Sequence, residues 1–181
     1  MTTRWTTMLA AACLCTAAYA ATVQMRVYNF DFSINPKGQA VVDVVVKAGD
    51  TVQWVWDEGF HSTTSVSGSL EQWDSTILVP PATFSRRFLK LGTFTYYCTF
   101  HGIDNGNGTA SGMFGTVTVN PLPGDINTDG KVNVFDLQRL ALSWNRQQGD
   151  TGYDPASDLT GDNRVNVFDL QVLANNWNQP Q

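Results

Sequence analysis

The run Gly92-Thr93-Phe94-Thr95-Tyr96-Tyr97-Cys98-Thr99-Phe100-His101 decides the fold. Through Tyr97 it is β-branched and aromatic, which suits a pleated, half-buried surface. A glycine turn at Lys90-Leu91-Gly92 precedes it, so the strand starts at Thr93. The same pattern recurs outward in both directions. Val23-Gln24-Met25-Arg26-Val27-Tyr28 and Thr51-Val52-Gln53-Trp54-Val55-Trp56 alternate apolar with polar residues. Ala40 to Val46, Phe84 to Leu89 and Thr116 to Val119 are of the same kind. Short strands punctuated by turns such as Lys47-Ala48-Gly49-Asp50 predict an all-β sandwich. Thr22 to Asn120, about a hundred residues, is enough chain for one core. Trp54, Trp56 and Trp73 read as part of that core rather than as redox relays.

The strand ends on a thiol, with an imidazole three residues further on. The chain has only two histidines, and the other is His61, in Gly59-Phe60-His61-Ser62. Gly112-Met113-Phe114-Gly115-Thr116-Val117-Thr118-Val119 adds a thioether just before the last strand. One thiolate, two imidazoles and a weak axial thioether describe a blue-copper electron-transfer centre, with His61, Cys98, His101 and Met113 as ligands. Copper binding would require neutral imidazole and deprotonated thiolate, so it would release protons and weaken in acid. Four protein ligands leave no open position, which argues against an enzyme. The competing reading of Cys98 is a buried core cysteine. The stretch from Gly102 to Ser111, rich in Gly and Asn, reads as a surface loop beside the metal. A partner-docking lid, or a loop that shifts the axial ligand, is the sharper alternative.

Residues 1–20 read as a secretory leader: Arg4, an apolar run from Met8 to Ala18, and a small-x-small cut after Ala20. Cys13 and Cys15 would leave with it, and a lipid anchor at either is the lesser alternative. Export would make Cys98 the single cysteine, in a compartment where a lone thiol is exposed to oxidation unless something occupies it. No run is long enough to span a bilayer. The formal charge of −5 and the lack of a basic cluster speak against nucleic acid.

Asn120-Pro121-Leu122-Pro123-Gly124 breaks the strand pattern and marks a boundary, with 121–124 as linker. Beyond it the chain repeats with a period of 33: Asp125-Ile126-Asn127-Thr128-Asp129-Gly130-Lys131-Val132-Asn133-Val134-Phe135-Asp136 is answered by Asp158-Leu159-Thr160-Gly161-Asp162-Asn163-Arg164-Val165-Asn166-Val167-Phe168-Asp169. A twelve-residue calcium loop takes ligands from positions 1, 3, 5, 7, 9 and 12. Those are Asp125, Asn127, Asp129, the Lys131 carbonyl, Asn133 and Asp136 in the first repeat. In the second they are Asp158, Thr160, Asp162, the Arg164 carbonyl, Asn166 and Asp169. Gly130 takes the sharp turn; Asn163 replaces it in the second loop, and Asn tolerates left-handed backbone better than most residues. Each loop runs into an amphipathic helix, starting near Val134 and Val167, with Phe, Leu and Trp for a shared core. Two calcium ions would offset the acidity of the tail.

Residues 22–120 resemble the cupredoxin family, plastocyanin and its small bacterial relatives. Lys47-Ala48-Gly49-Asp50-Thr51-Val52-Gln53-Trp54, Gly59-Phe60-His61-Ser62, the run ending at His101 and the run from Gly112 to Val119 carry the resemblance. It implies a two-sheet Greek-key barrel with copper near one end. It also implies an electron port at the second histidine, which falls on His101, within an apolar patch of Phe60, Phe100 and Phe114. The spacing between His101 and Met113 is longer than the family's. Residues 124–178 resemble the dockerin module, which implies two structural calcium ions and a cohesin-type receptor. The recognition positions are apolar here, Val134-Phe135 and Val167-Phe168. The sequence therefore predicts a leader at 1–20, a copper sandwich over 21–120 and a small all-α calcium module over 125–181. The whole reads as an exported electron carrier, periplasmic, cell-surface or extracellular, serving a redox partner protein. Copper storage and a structural cell-surface role are the alternatives.

Overall fold

A computed structural model describes residues 20–178. The expected leader, with Cys13 and Cys15, lies outside the described residues except for Ala20. The chain runs β1 (Thr22–Tyr28), β2 (Asp31–Ser33), β3 (Val44–Lys47), β4 (Thr51–Trp56), β5 (Thr64–Ser65), β6 (Thr83–Arg87), β7 (Gly92–Asp104) and β8 (Ala110–Asn120). Two helices follow, α1 (Val134–Leu142) and α2 (Val167–Asn175), with a 3-10 turn at Pro155–Ser157 between them. The strands form two four-stranded sheets, in the orders β2-β1-β4-β6 and β3-β8-β7-β5. Both are mixed: β1 runs parallel to β4 and β3 parallel to β8, while the remaining pairs are antiparallel. The fold is the expected all-β sandwich of two sheets followed by two helices.

Alternation puts the core between the sheets. On β4, Val52, Trp54 and Trp56 are buried while their neighbours are half-buried. Phe94, Tyr96 and Cys98 on β7 and Met113, Val117 and Val119 on β8 are buried in the same phase. All three tryptophans of the sandwich are buried in one cluster with Met25, Phe32, Phe88 and Tyr96, as a core role requires. Trp54 sits at its centre, with Tyr96 at 5.4 Å and Trp73 at 5.8 Å between ring centroids.

Some elements differ from the sequence reading. Ala40 to Asp43 is not strand; the Asp43 carboxylate instead accepts from the Thr116 backbone N–H and hydroxyl, and pairing begins at Val44. Strands β2 and β5 are too short to announce themselves by periodicity. The largest difference is Gly102 to Ser111, which is no bulging loop. β7 continues to Asp104 and β8 starts at Ala110, so an antiparallel hairpin extends past the site on the pairs Gly102–Gly112, Ile103–Ser111 and Asp104–Ala110. Its tip is closed by Asn105 and Thr109 and tied to Ser67, whose backbone N–H donates to the Asp104 carboxylate at 2.7 Å.

The helices make a second cluster of Ile126, Val132, Leu140, Val165 and Leu173, with Leu137, Leu170 and Trp177 packed on it. Leu122 packs against both clusters. Helices start at Val134 and Val167, each capped by an Asn-x-x-Asp box: Asn133 with Asp136, and Asn166 with Asp169. Phe135 and Phe168 do not enter the core as expected; they are 63% and 61% exposed. Both stand at the second helical position, two residues after the cap.

Candidate metal centres

The geometry of the first site comes from a mismatch between β7 and β8. The register pairs Tyr97 with Phe114, then Gly102 with Gly112. Four residues, Cys98 to His101, therefore face the single residue Met113. The excursion brings Cys98 and His101 to one place although they are three apart on a strand. It puts His101 inside β7 rather than in a loop beyond it, and Met113 inside β8 rather than ahead of it. Glycine makes the crossing possible. A Cβ on Gly102 would lie 2.7 Å from the Met113 carbonyl, and Gly112 has φ +77.

His61 comes from the other sheet's side, in the segment after β4. Its backbone carbonyl accepts from Trp56 Nε1 at 3.0 Å, and it bridges to Leu78. His61 Nδ1, His101 Nδ1 and Cys98 Sγ form a triangle with sides of 3.0, 3.4 and 3.7 Å. Among the described residues this is the one His, Cys, Asp or Glu trio whose donor atoms all lie within 4.8 Å of one another. Metal bonds of about 2.0 Å to nitrogen and 2.3 Å to sulfur fit within such a triangle. Cys98 and His61 are fully buried, and His101 is half-buried. Met113 is buried beside them, opposite the excursion. Burial, then the neighbouring His101, pushes the His61 pKa below the usual imidazole value, which favours the neutral ring that a metal ligand needs.

Ser62 clasps the two ligand segments together. Its N–H donates to Cys98 Sγ at 3.4 Å, and its Oγ accepts the Thr99 N–H at 2.9 Å. Such a donor to sulfur is the kind of contact that tunes a metal-bound thiolate. On the outside, His101 lies within a ring of aromatics. Phe60, Phe100 and Phe30 stand 5.3, 4.9 and 4.9 Å from it, and Phe60 meets Phe100 at 4.7 Å. All three are exposed. Phe60 and Phe100 are two of the three patch residues that the sequence suggests. Phe114 is exposed on β8, paired with Tyr97, and its ring is not among those packed on His101. Phe30 and its neighbour Asn29, whose Oδ1 meets His61 Nε2 at 2.8 Å, escape the sequence reading. They sit in the β1–β2 turn, far upstream in the chain, with no ligand-type side chain to signal them.

The two repeat loops share one backbone. Thr128 and Gly161, Gly130 and Asn163, and Asn145 and Asn178 are all left-handed, each pair 33 apart, so Asn163 does take the glycine's place. The repeats complete each other. The Asn145 N–H donates to the Val165 carbonyl at 2.8 Å, and at the equivalent place the Asn178 N–H donates to the Val132 carbonyl at 2.9 Å. In the first loop, Asp125 accepts from the Asp129 and Gly130 N–H groups, and buried Asp136 from Ile126, Asn127 and Asn133. Asn127, Asp129 and Asn133 line the same turn, and Lys131 contributes its backbone. In the second, Asp158 accepts from Gly161, Asp162, Asn163 and the Tyr153 hydroxyl, and Asp169 from Thr160 and Asn166; the Asp162 carboxylate accepts from the Arg164 N–H. The loop carboxylates do not converge as the histidine–cysteine trio does: each is turned onto N–H groups of its own loop. Burial pushes the Asp125 carboxyl up, and the charges of Asp136 and Asp129 add to this against its hydrogen bonds. Such a crowd of carboxylate and amide oxygens suits a hard divalent cation.

The dockerin type I domain model matches residues 123–178. For the sandwich, the solved structures that match include an oxidised single-residue mutant of amicyanin, 24% identical, covering 54% of this chain and 81% of that one with a TM-score of 0.42. A reduced amicyanin mutant is 24% identical over 58% of this chain and 86% of that one, also at 0.42. A Cu-containing nitrite reductase from Thermus scotoductus is 19% identical, covering 55% of this chain and 22% of that one, at 0.42.

Proposed function

We propose that this chain is an exported one-electron carrier holding a single type I copper, tethered by a calcium-binding dockerin-like module. The observation that carries the copper reading is the Nδ1, Nδ1, Sγ triangle of His61, His101 and Cys98, buried at one end of a rigid sandwich. Bound there, copper would supply a Cu(I)/Cu(II) couple. The protein's part is to hold the donors still, so that little reorganises between the two states. Trp56, Ser62 and the β7 excursion do this for His61, Cys98 and His101. Met113 is the fourth, axial ligand, and with it no position is left open for a substrate. Phe30, Phe60 and Phe100 exclude water around the half-exposed edge of His101, through which a redox partner protein would exchange the electron.

In the module, Asp125, Asn127, Asp129, Lys131, Asn133 and Asp136 would hold one Ca²⁺, and Asp158, Thr160, Asp162, Arg164, Asn166 and Asp169 a second. A cohesin-type receptor would meet the exposed pairs Val134-Phe135 and Val167-Phe168. Export fits Cys98, the one thiol among the described residues, buried where a metal would protect it; among the same residues no helix is long and apolar enough to cross a membrane.

The deciding experiment is a visible spectrum of residues 21–181 after one equivalent of Cu(II). An intense thiolate-to-copper band that disappears in Cys98→Ser supports the reading. A colourless solution refutes it.

A further inference from the structure

His61 reaches the site with one nitrogen, Nδ1, and its other nitrogen has a specific partner. Nε2 lies 2.8 Å from the side-chain oxygen of Asn29. An amide oxygen only accepts, so at this distance the ring carries its proton on Nε2 and presents the Nδ1 lone pair to Cys98 and His101. Space is reserved for this contact. Gly59 has φ +67, and a Cβ there would collide with both Asn29 Oδ1 and His61 Nε2. Asn29 is held from behind: its backbone N–H reaches the Glu58 carboxylate, which Lys37 fixes at 2.7–2.8 Å and holds below its usual range. The next residue, Phe30, packs edge-on against His101 at 4.9 Å. One turn thus touches both histidines from outside the trio.

We infer that Asn29 is a positioning residue for the metal centre, which fixes the tautomer and orientation of His61 through its side-chain oxygen in a slot kept open by Gly59. Resting on the copper reading of that site, the inference adds a residue that sets how basic the His61 ligand is and how firmly it is held. Outer partners of a ligating histidine commonly contribute 10–100-fold in metal affinity. A neutral amide at this place donates less electron density to the ring than a carboxylate would, so it favours the reduced, lower-charge state of the metal.

The test compares the full chain with Asn29→Ala and Asn29→Asp. With two histidines in the sequence, long-range proton–nitrogen NMR of the metal-free protein resolves each ring. The native His61 is expected as the Nε2–H tautomer, Asn29→Ala as a mixture, and Asn29→Asp, which keeps an acceptor of the same reach, as Nε2–H again. With Cu(II), Asn29→Ala is expected to bind about 10–100-fold more weakly in competition with a chelator. Asn29→Asp should retain the affinity while its reduction potential falls. An Asn29→Ala protein with native tautomer and native affinity overturns the inference. If the native chain stays colourless with copper, the electron-carrier reading fails instead, and the tautomer measurement still decides the role of Asn29.

Discussion

Ser62 and Gly102 are the residues on which the site's rigidity turns. Ser62 is fully buried, and its hydroxyl is the partner of the Thr99 N–H, with Thr64 and Thr99 hydroxyls at 2.9 and 3.1 Å. Ser62→Ala leaves that N–H buried without an acceptor. A loss of about 1–3 kcal/mol is expected, read as a lower denaturant midpoint at unchanged slope; an unchanged midpoint would mean the clasp is incidental. Gly102→Ala tests the crossing of the two strands. The new Cβ would meet only backbone, the carbonyls of Met113, Ser111 and Cys98 at 2.7, 3.0 and 3.2 Å, and none of these can swing aside. About 1–3 kcal/mol of destabilisation is expected, together with a changed intensity or position of the copper band because Met113 must move. A native spectrum in this variant would show that the Met113 backbone is free to yield.

Among the elements, the long connection between β5 and β6 depends on one carboxylate. Glu71 is 5% exposed; it pairs with Arg86 at 2.6 Å and accepts the Leu89 and Lys90 N–H groups at 3.0 and 2.9 Å. Burial raises its pKa, but Arg86 and the two N–H donors together hold it below the usual carboxylate range. A depressed folded pKa contributes stability that is fully present above the ordinary value of about 4.3 and lost as pH falls through the lowered one. Glu71→Gln should therefore cost about 2–3 kcal/mol near neutrality and less with increasing acidity, as a series of unfolding curves from pH 7 to 3 would show. An equal loss at every pH would rule out the ionised pair as the cause. This element also shows where sequence legibility ends. β4 could be read to its first residue and both helices placed near theirs, because alternation is local and the repeated loop sets where each helix begins. The hairpin beyond His101 could not, since its Gly and Asn composition is that of a loop while its pairing comes from the partner strand. Ligand types and spacing disclosed His61, Cys98, His101 and Met113 as candidates. Asn29 and Phe30 stayed hidden, because only folding brings their turn to the histidines.

For the molecule as a whole, two separate cores joined through Leu122 mean two separable stabilities. Calcium should act on one of them. At one hundred times its dissociation constant, each bound ion adds about 2.7 kcal/mol to the state that binds it. Stripping calcium with a chelator is expected to lower the melting of residues 123–178 by tens of degrees while the copper-free sandwich keeps its midpoint. A module whose melting ignores the chelator would refute the calcium loops. The reciprocal bonds of the two repeats, Asn145 to Val165 and Asn178 to Val132, carry a further consequence. Each half supplies the strap that closes the other, so neither half is a folding unit alone. Two copies of a single repeat, on separate chains, would offer each other the same straps by two-fold symmetry. The tandem is in effect a covalently joined homodimer, and the segment between the halves turns an association that depends on concentration into one that does not.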